Sequence, residues 1–311
     1  MMNSCHLLYL IIFAAFFFGA CEEVFIPDDS NYQSKIVVES YIEKSSEGLP
    51  VYLILTRTIG FFGNIDATVI ENLFVKADSV LIIADNEEIS LMDLCLSDLP
   101  PEARTEILKR FGFDPDSVNL NFCIYTDLSG KFQPKEGSSY DLKIIINDTV
   151  LSARTSIPKL IPLDSIWFEP VPGKMIDSFV QMICSIRDVA GENNFYRYFT
   201  GTSEGALIAN FSSVTDDFLF DGQEFQFPLQ KAEPPGTPFS DTLGYFRIGD
   251  TVRVKWCNLD KDHFEFWNTL EVSRTRQGPF SSYLRVKTNI NGGLGIFGGQ
   301  NCEYYTILVK R

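Results

Sequence analysis

The chain has 311 residues, of which 45% are hydrophobic and 22% are charged, and this composition is typical of globular rather than disordered proteins. Its 26 Lys and Arg residues and 41 Asp and Glu residues give a formal net charge of -15, which would repel a phosphate backbone and argues against a nucleic-acid binder. The length favours about two domains, and the excess of 27 Phe over 5 Met residues favours strands.

The amino terminus has the features of a lipoprotein signal. Residues 7–18 form an apolar run of 12 residues, too short to span a bilayer as a helix but typical of the core of a signal peptide. Gly19, Ala20 and Cys21 follow, and small residues before a cysteine resemble the lipobox of bacterial lipoproteins, in which the cysteine is acylated. We therefore predict a signal peptide over 1–21 with lipidation at Cys21. The alternative is an ordinary cleaved signal with an incidental cysteine.

The residues after the lipobox predict where the protein is held. Two or more acyl chains hold a protein stably on a membrane, and no later apolar run reaches 18 residues, so we expect a lipid anchor joined to the folded part by a tether at 22–34. Glu22 and Glu23 resemble the surface-export signal of lipoproteins in some Gram-negative bacteria. This resemblance implies the outer face of the outer membrane, and the alternative is a solvated, charged tether.

From residue 35 onward, apolar and polar residues alternate with the period of a strand that has one buried face. Asn147 and Asp148 lie between two such runs and predict a tight hairpin. Residues 98–111 depart from this pattern, because prolines precede an apolar stripe at helical spacing, and they predict a short helix. The predicted strands of this half are 35–42, 51–58, 78–84, 119–126, 139–146 and 149–155.

Residues 157–162 contain two prolines and no periodicity, so we place a domain boundary there, between an N-terminal domain at 35–157 and a C-terminal domain at 158–311. In the second half, residues 259–276 have helical spacing and Asp260 as a candidate cap. Because strands do not alternate with helices, we predict an all-β protein of two β-sandwich-like domains with one short helical insert in each. The predicted strands are 164–168, 178–187, 195–202, 218–221, 224–228, 244–248, 251–257, 283–288 and 303–309.

Several segments together resemble one known family. They are the lipobox cysteine with its acidic residues, KIVVESYI, YLILTRTIGFF, NNFYRYF, FLFDGQEFQFPL and GPFSSYLRVKTNINGGLGIFGG. This combination is similar to the family called domain of unknown function 4249 over nearly the whole mature chain, and the block Asn289–Gly299 is its most specific part. The resemblance implies an outer-membrane lipoprotein, often found beside TonB-dependent transporters, with no established activity and no catalytic residue to transfer.

Two enzyme motifs occur in the sequence. Gly293, Gly295 and Gly298 match the dinucleotide fingerprint G-x-G-x-x-G, but a strand-like run follows where a helix is needed, so we expect a tight turn or bulge and no cofactor. Ser203 lies in a G-x-S-x-G sequence, and a hydrolase built on it would need His263, the single histidine of the mature chain. We expect instead a partly exposed His263 and no enzymatic activity. We also expect no metal site, because no His/Cys cluster has the spacing of metal ligands.

Five cysteines remain once the signal peptide and the lipidated residue are set aside. Cys184 alternates with apolar residues in a strand-like run, so we predict a buried thiol there. Disulfides can persist outside the inner membrane. We predict that Cys95 pairs with Cys123, since they bracket the helical insert, and that Cys257 pairs with Cys302, which would join two late strands. Five free thiols remain the alternative, since connectivity cannot be deduced from sequence.

The lipid tether and the strand-rich domains favour a non-enzymatic accessory or ligand-binding lipoprotein of the outer membrane that faces the cell exterior. The family resemblance implies that it works with a TonB-dependent β-barrel transporter. One alternative is a stand-alone surface binding or adhesion lipoprotein, and another is a serine hydrolase that uses Ser203 and His263. Phe and Tyr at strand spacing more often belong to a core than to a binding site, so the sequence identifies no ligand contact.

Overall fold

The computed structural model describes residues 32–48, 50–60, 69–70, 72–85, 87–110, 122–173, 176–203, 205–234, 236–275 and 284–311. Most of these residues lie in strands, so the all-β class is confirmed. From Lys35 onward the described residues, apart from Gly60, form one compact unit. None of the described helices is long and apolar enough to cross a membrane.

The described residues before the predicted boundary contain seven strands and a short helix. Helix α1 (Pro101–Arg110) begins at a proline, as the proline pair in the sequence indicates. A 3₁₀ turn at Leu96–Asp98 precedes it. The strands are β1 (Ile36–Ser45), β2 (Tyr52–Arg57), β3 (Ser79–Ala84), β4 (Glu87–Cys95), β5 (Cys123–Thr126), β6 (Ser139–Ile146) and β7 (Thr149–Ser156).

The second half adds eight strands and a longer helix, α2 (Lys261–Thr275), which lies between the last two strands. The strands are β8 (Ser165–Pro170), β9 (Phe179–Arg187), β10 (Phe195–Thr202), β11 (Ile208–Asp216), β12 (Glu224–Leu229), β13 (Phe246–Arg247), β14 (Thr251–Leu259) and β15 (Leu294–Leu308).

Eleven of these strands form one sheet in the order β11-β10-β14-β15-β1-β2-β5-β4-β3-β6-β7, and a second, four-stranded sheet has β9 paired with β8, β12 and β13. The last strand is 15 residues long and has two partners. Its first part runs parallel to β1, from Leu294 opposite Val37 to Cys302 opposite Ser45, and its later part runs antiparallel to β14. Strand β15 therefore joins the strands of the two halves of the chain.

Two large hydrophobic clusters follow from the period-two pattern of the strands. The first contains the buried face of β6 with residues of β1 to β7, and it is completed by Ile290 and Phe297 from the end of the chain. The second lies between the four-stranded sheet and the strands β10, β14 and β15, around Trp256 and Tyr196. Strand β15 contributes to both clusters. The division into two separate domains at 157–162 stays a prediction.

Several element predictions were wrong. Residues 218–221 form a turn rather than a strand, and the described part of 283–288 is not in a strand. Strands β4 and β11 were missed, because β4 buries few side chains and β11 has a register shift opposite β10 that interrupts the period of two. Strand β15 begins nine residues before the predicted 303–309, because its glycines weaken the strand pattern.

Candidate functional site

Helix α2 packs on the large sheet over β10, β11 and β15. Asp260 caps it, as the sequence predicts: one carboxylate oxygen accepts the backbone N–H of His263 at 2.9 Å. The other oxygen accepts the N–H of Gly299 at 2.8 Å and the hydroxyl of Thr155, so the same side chain ties the helix start to β15 and β7. Burial raises the pKa of Asp260 above its ordinary value.

His263 lies beneath the first turn of α2 and is fully buried, so the expectation of a partly exposed side chain was wrong. Its Nδ1 lies 3.2 Å from the carbonyl oxygen of Gly299, and its ring stacks on Tyr41 of β1 with a centroid distance of 5.0 Å. Burial, together with the positive charge of Arg197, lowers the pKa of His263 to about 3. The imidazole is therefore neutral at pH 7 and is a packing element between the helix and the sheet.

A chain of buried polar groups connects β10, β11 and α2. The guanidinium Nε of Arg197 donates to the Ser213 hydroxyl at 3.1 Å, and that hydroxyl donates to a Glu271 carboxylate oxygen at 2.6 Å. The guanidinium also lies 3.5 Å from the centroid of the Trp267 ring, a cation–π contact. Burial lowers the pKa of Arg197 to about 10, so its charge is retained at pH 7 and faces the Glu271 carboxylate across Ser213.

A buried ion pair lies nearby, between Glu43 of β1 and Lys255 of β14. The Glu43 carboxylate also accepts the Tyr304 hydroxyl at 2.7 Å and the Gln300 amide at 2.6 Å. Burial by itself raises the pKa of Glu43, but the Lys255 ammonium and the Tyr304 hydroxyl outweigh it, and the pKa lies below its ordinary value. Both charges are neutralised locally, which is the condition under which buried charges persist.

A groove of about 1100 Å³ lies between the start of β1, helix α2 and residues 284–288. Val37, Phe266 and Val286 give it apolar walls. Its described charged lining consists of three basic side chains and one carboxylate: Lys35, Arg285, Lys287 and Glu39. In a chain of net charge -15, this local excess of positive charge would attract an anionic or polar ligand. Sequence reasoning missed the groove, although Arg285 and Lys287 are a basic pair in an acidic chain.

The carboxylates of Asp188, Asp217 and Asp221 form the acidic group among the described residues that could ligate a hard cation, with oxygens within 4.8 Å of one another. In this structure their oxygens accept hydrogen bonds from the Tyr196 hydroxyl and from backbone N–H groups, including that of Asn194 at 2.6 Å. The arrangement orders the loops at this end of β10, and burial raises the pKa of Asp217.

Ser203 and His263 do not come together. Ser203 follows the end of β10, where its N–H donates to the carbonyl of Thr251 at the start of β14. At the other end of β10, Phe195 stacks on Phe264, the residue after His263 in α2. Eight residues of extended chain separate Phe195 from Ser203, or about 25 Å at the rise of a strand. A hydrolase that uses Ser203 with His263 is therefore inconsistent with the structure.

The glycines of the G-x-G-x-x-G sequence let β15 lie against its neighbours. Gly295 has a φ of +104°, and a Cβ there would collide with the carbonyl oxygen of Val38 in β1. A Cβ on Gly298 would lie 2.6 Å from the Cγ of His263 under α2. Gly293 directly precedes strand β15 and the rest of the motif lies inside it, so the motif lacks the helix N-terminus that holds a pyrophosphate.

The structure places the cysteines as two cross-strand pairs and one thiol. Cys95 and Cys123 lie opposite each other in β4 and β5 and are joined by a disulfide, and so are Cys257 and Cys302 in β14 and β15. Cys184 is a buried thiol on β9, and burial raises its pKa to about 12, which makes it a poor nucleophile.

The predicted signal peptide, the predicted lipidation site Cys21 and the first ten residues of the predicted tether lie outside the described residues. A comparison with curated proteins finds no match. The family model described as "Domain of unknown function (DUF4249)" matches residues 22–305, which is most of the chain. The chain therefore belongs to the DUF4249 family.

Proposed function

We propose that this protein is a lipid-anchored outer-membrane protein, exposed on the cell surface, that binds a ligand as a non-enzymatic partner of a TonB-dependent transporter. The observation that carries the binding role is the groove beside α2, which places three basic side chains next to apolar walls in an acidic chain. Its volume of about 1100 Å³ is slightly above the range of about 300–1000 Å³ of ordinary small-molecule sites. The apolar run at 7–18 and Cys21 support the anchor.

The buried polar groups have a structural role and do not form a catalytic arrangement. Arg197 and Glu271 are linked through Ser213, and Glu43 is paired with Lys255, so these charges stabilise the contact between sheet and helix. His263 is neutral and buried, and a general base needs to reach the substrate whose proton it takes.

Affinity purification of the full, lipidated chain from gently solubilised outer membranes tests the partner. We expect a β-barrel transporter to be recovered in stoichiometric amount, and a Cys21→Ala variant to leave the membrane fraction. Recovery of the protein alone would contradict the accessory role and leave a stand-alone surface binder. A Cys21→Ala variant that remains in the membrane would contradict the lipid anchor.

Native mass spectrometry tests the groove. We expect the purified protein to retain an anionic or polar small molecule, and an Arg285→Glu/Lys287→Glu variant to lose it, because the positive charge of the groove is reversed. The matched control is Lys310→Glu, an exposed residue outside the groove. Equal retention by the two variants would contradict the binding role of the groove.

A further inference from the structure

The turn between β11 and β12 exposes two large apolar side chains side by side. Phe218 is 84% exposed and Leu219 is 82% exposed. We call residues 216–222 the apolar tip. Adjacent apolar side chains held in water are a feature of surfaces that bind another molecule, whereas single exposed apolar residues are ordinary.

The apolar tip is a fixed structure. The N–H of Phe220 donates to the carbonyl of Asp217 at 2.8 Å, and the Phe220 ring is buried and stacks on Phe225 at 4.6 Å. Backbone N–H groups of the neighbouring loop donate to the acidic side chains of the tip, with Gly191 2.8 Å from an Asp221 oxygen. Because the turn is already ordered, Phe218 and Leu219 would lose little backbone entropy on binding.

The charged side chains of the apolar tip and of the neighbouring loop are all acidic. Residues 188–194 and 216–224 contain no Lys or Arg and six carboxylates. Asp188 and Asp217 are buried, and the carboxylates that reach solvent are Glu192, Asp216, Asp221 and Glu224. The nearest basic side chain in sequence, Arg187, lies 3.6 Å from Glu224 and neutralises that one carboxylate. Such a tip is repelled by an anionic lipid surface and is complementary to a site rimmed by Lys and Arg.

We propose that the apolar tip inserts Phe218 and Leu219 into an apolar socket, rimmed by Lys and Arg, on a partner protein. This inference rests on the proposed function, and the partner in question is its β-barrel transporter. The two apolar side chains are the buried anchors of the contact, and the surrounding carboxylates set its orientation and its sensitivity to salt.

The first test compares variants of the full, lipidated chain for recovery of the transporter. Phe218→Ser/Leu219→Ser should lower recovery at least tenfold, because it removes both anchors and no core side chain. Phe239→Ser is the matched control, since Phe239 is 87% exposed in another loop, and it should leave recovery unchanged. Glu192→Lys should also weaken recovery and reduce its loss on addition of salt. Thermal melting of each variant checks that it is folded.

The outcomes separate this inference from the proposed function. If the wild type recovers the transporter and the Phe218→Ser/Leu219→Ser variant recovers it equally, the proposed function stands and the role of the apolar tip is overturned. If the wild type recovers no transporter, the proposed function fails, and photo-crosslinking decides the role of the tip.

In the crosslinking test, a photoreactive phenylalanine analogue replaces Phe218 in intact cells. An adduct mapped to an apolar site rimmed by Lys and Arg on another protein, and lost at high salt, supports the inference. An adduct with lipid, an adduct with a second copy of the chain, or no adduct overturns it.

Discussion

The ring of His263 occupies the space that a side chain at position 298 would need: a Cβ on Gly298 would lie 2.6 Å from the His263 Cγ. Gly298 is in β15 and His263 is in the first turn of α2, so the absence of a side chain at one position lets the helix lie close to the sheet. This contact also brings the His263 ring against Tyr41 and within reach of the Gly299 carbonyl.

Gly298→Ala should destabilise the protein. The added methyl group must displace the His263 ring, and overpacking of this kind costs about 1–3 kcal/mol of unfolding free energy. Urea denaturation followed by circular dichroism measures the loss. The same substitution should cost less in a His263→Ala background, where the ring is gone. Equal costs in the two backgrounds would show that the clash is not with His263.

The wild type should lose stability in acid because of His263. Its pKa is about 3 in the folded protein and 6.5 when unperturbed, so between these values the unfolded chain binds more protons. The free energy of unfolding therefore falls as the pH falls below 6.5, by about 2–3 kcal/mol at pH 4.5 from this group. His263→Gln should remove this part of the fall in unfolding free energy, measured by urea denaturation at a series of pH values between 7 and 4.5. If the unfolding free energies of the wild type and the variant fall in parallel with pH, the assignment to His263 is refuted.

Glu271→Gln should be costly. It leaves Arg197 buried with Ser213 but without the carboxylate on the far side of that hydroxyl, and breaking a buried charge pair costs about 3–5 kcal/mol. Glu265→Gln is the matched control on the same helix, because its pair with Lys261 is exposed and contributes about 0.5 kcal/mol or less. Chemical denaturation compares the two. Similar midpoints would contradict a charged Arg197–Glu271 pair.

The cysteines should show one thiol that reacts only after unfolding. In a chain that begins at Glu22, five cysteines are present, and four of them are joined as Cys95–Cys123 and Cys257–Cys302. We expect no alkylation of the folded protein, one alkylated residue, Cys184, after denaturation without reductant, and five after reduction. Peptide mapping identifies the sites. Recovery of all five as thiols without reductant would contradict both disulfides.

The sequence predicted the strands best where one face is buried along their whole length. Strand β6 has the predicted bounds because four alternating apolar residues face one core. The pattern failed at 218–221, where the same apolar residues form a turn and only Phe220 is buried. Apolar composition predicts that a segment packs against another apolar surface. It does not distinguish a surface in the protein's own core from one on a binding partner.

The candidate site was less predictable than the fold. Asp260 was recognised as a cap because capping is local, whereas the links from Arg197 to Glu271 and from Glu43 to Lys255 join residues far apart in the chain. No local pattern indicates such pairs. His263 was misplaced for the same reason, since its burial depends on Gly298 and Tyr41, which come from two other strands.

The sequence by itself determined the class of the fold, the family and the two helical segments, because period, caps and family-specific segments are all read along the chain. Only the tertiary structure decided that β15 pairs with both β1 and β14, that α2 covers buried polar groups, and that Ser203 and His263 lie apart. The physical reason is that strand order and side-chain pairing depend on contacts between residues distant in sequence. The pattern of one strand specifies which face is buried, and leaves open which strand will cover it.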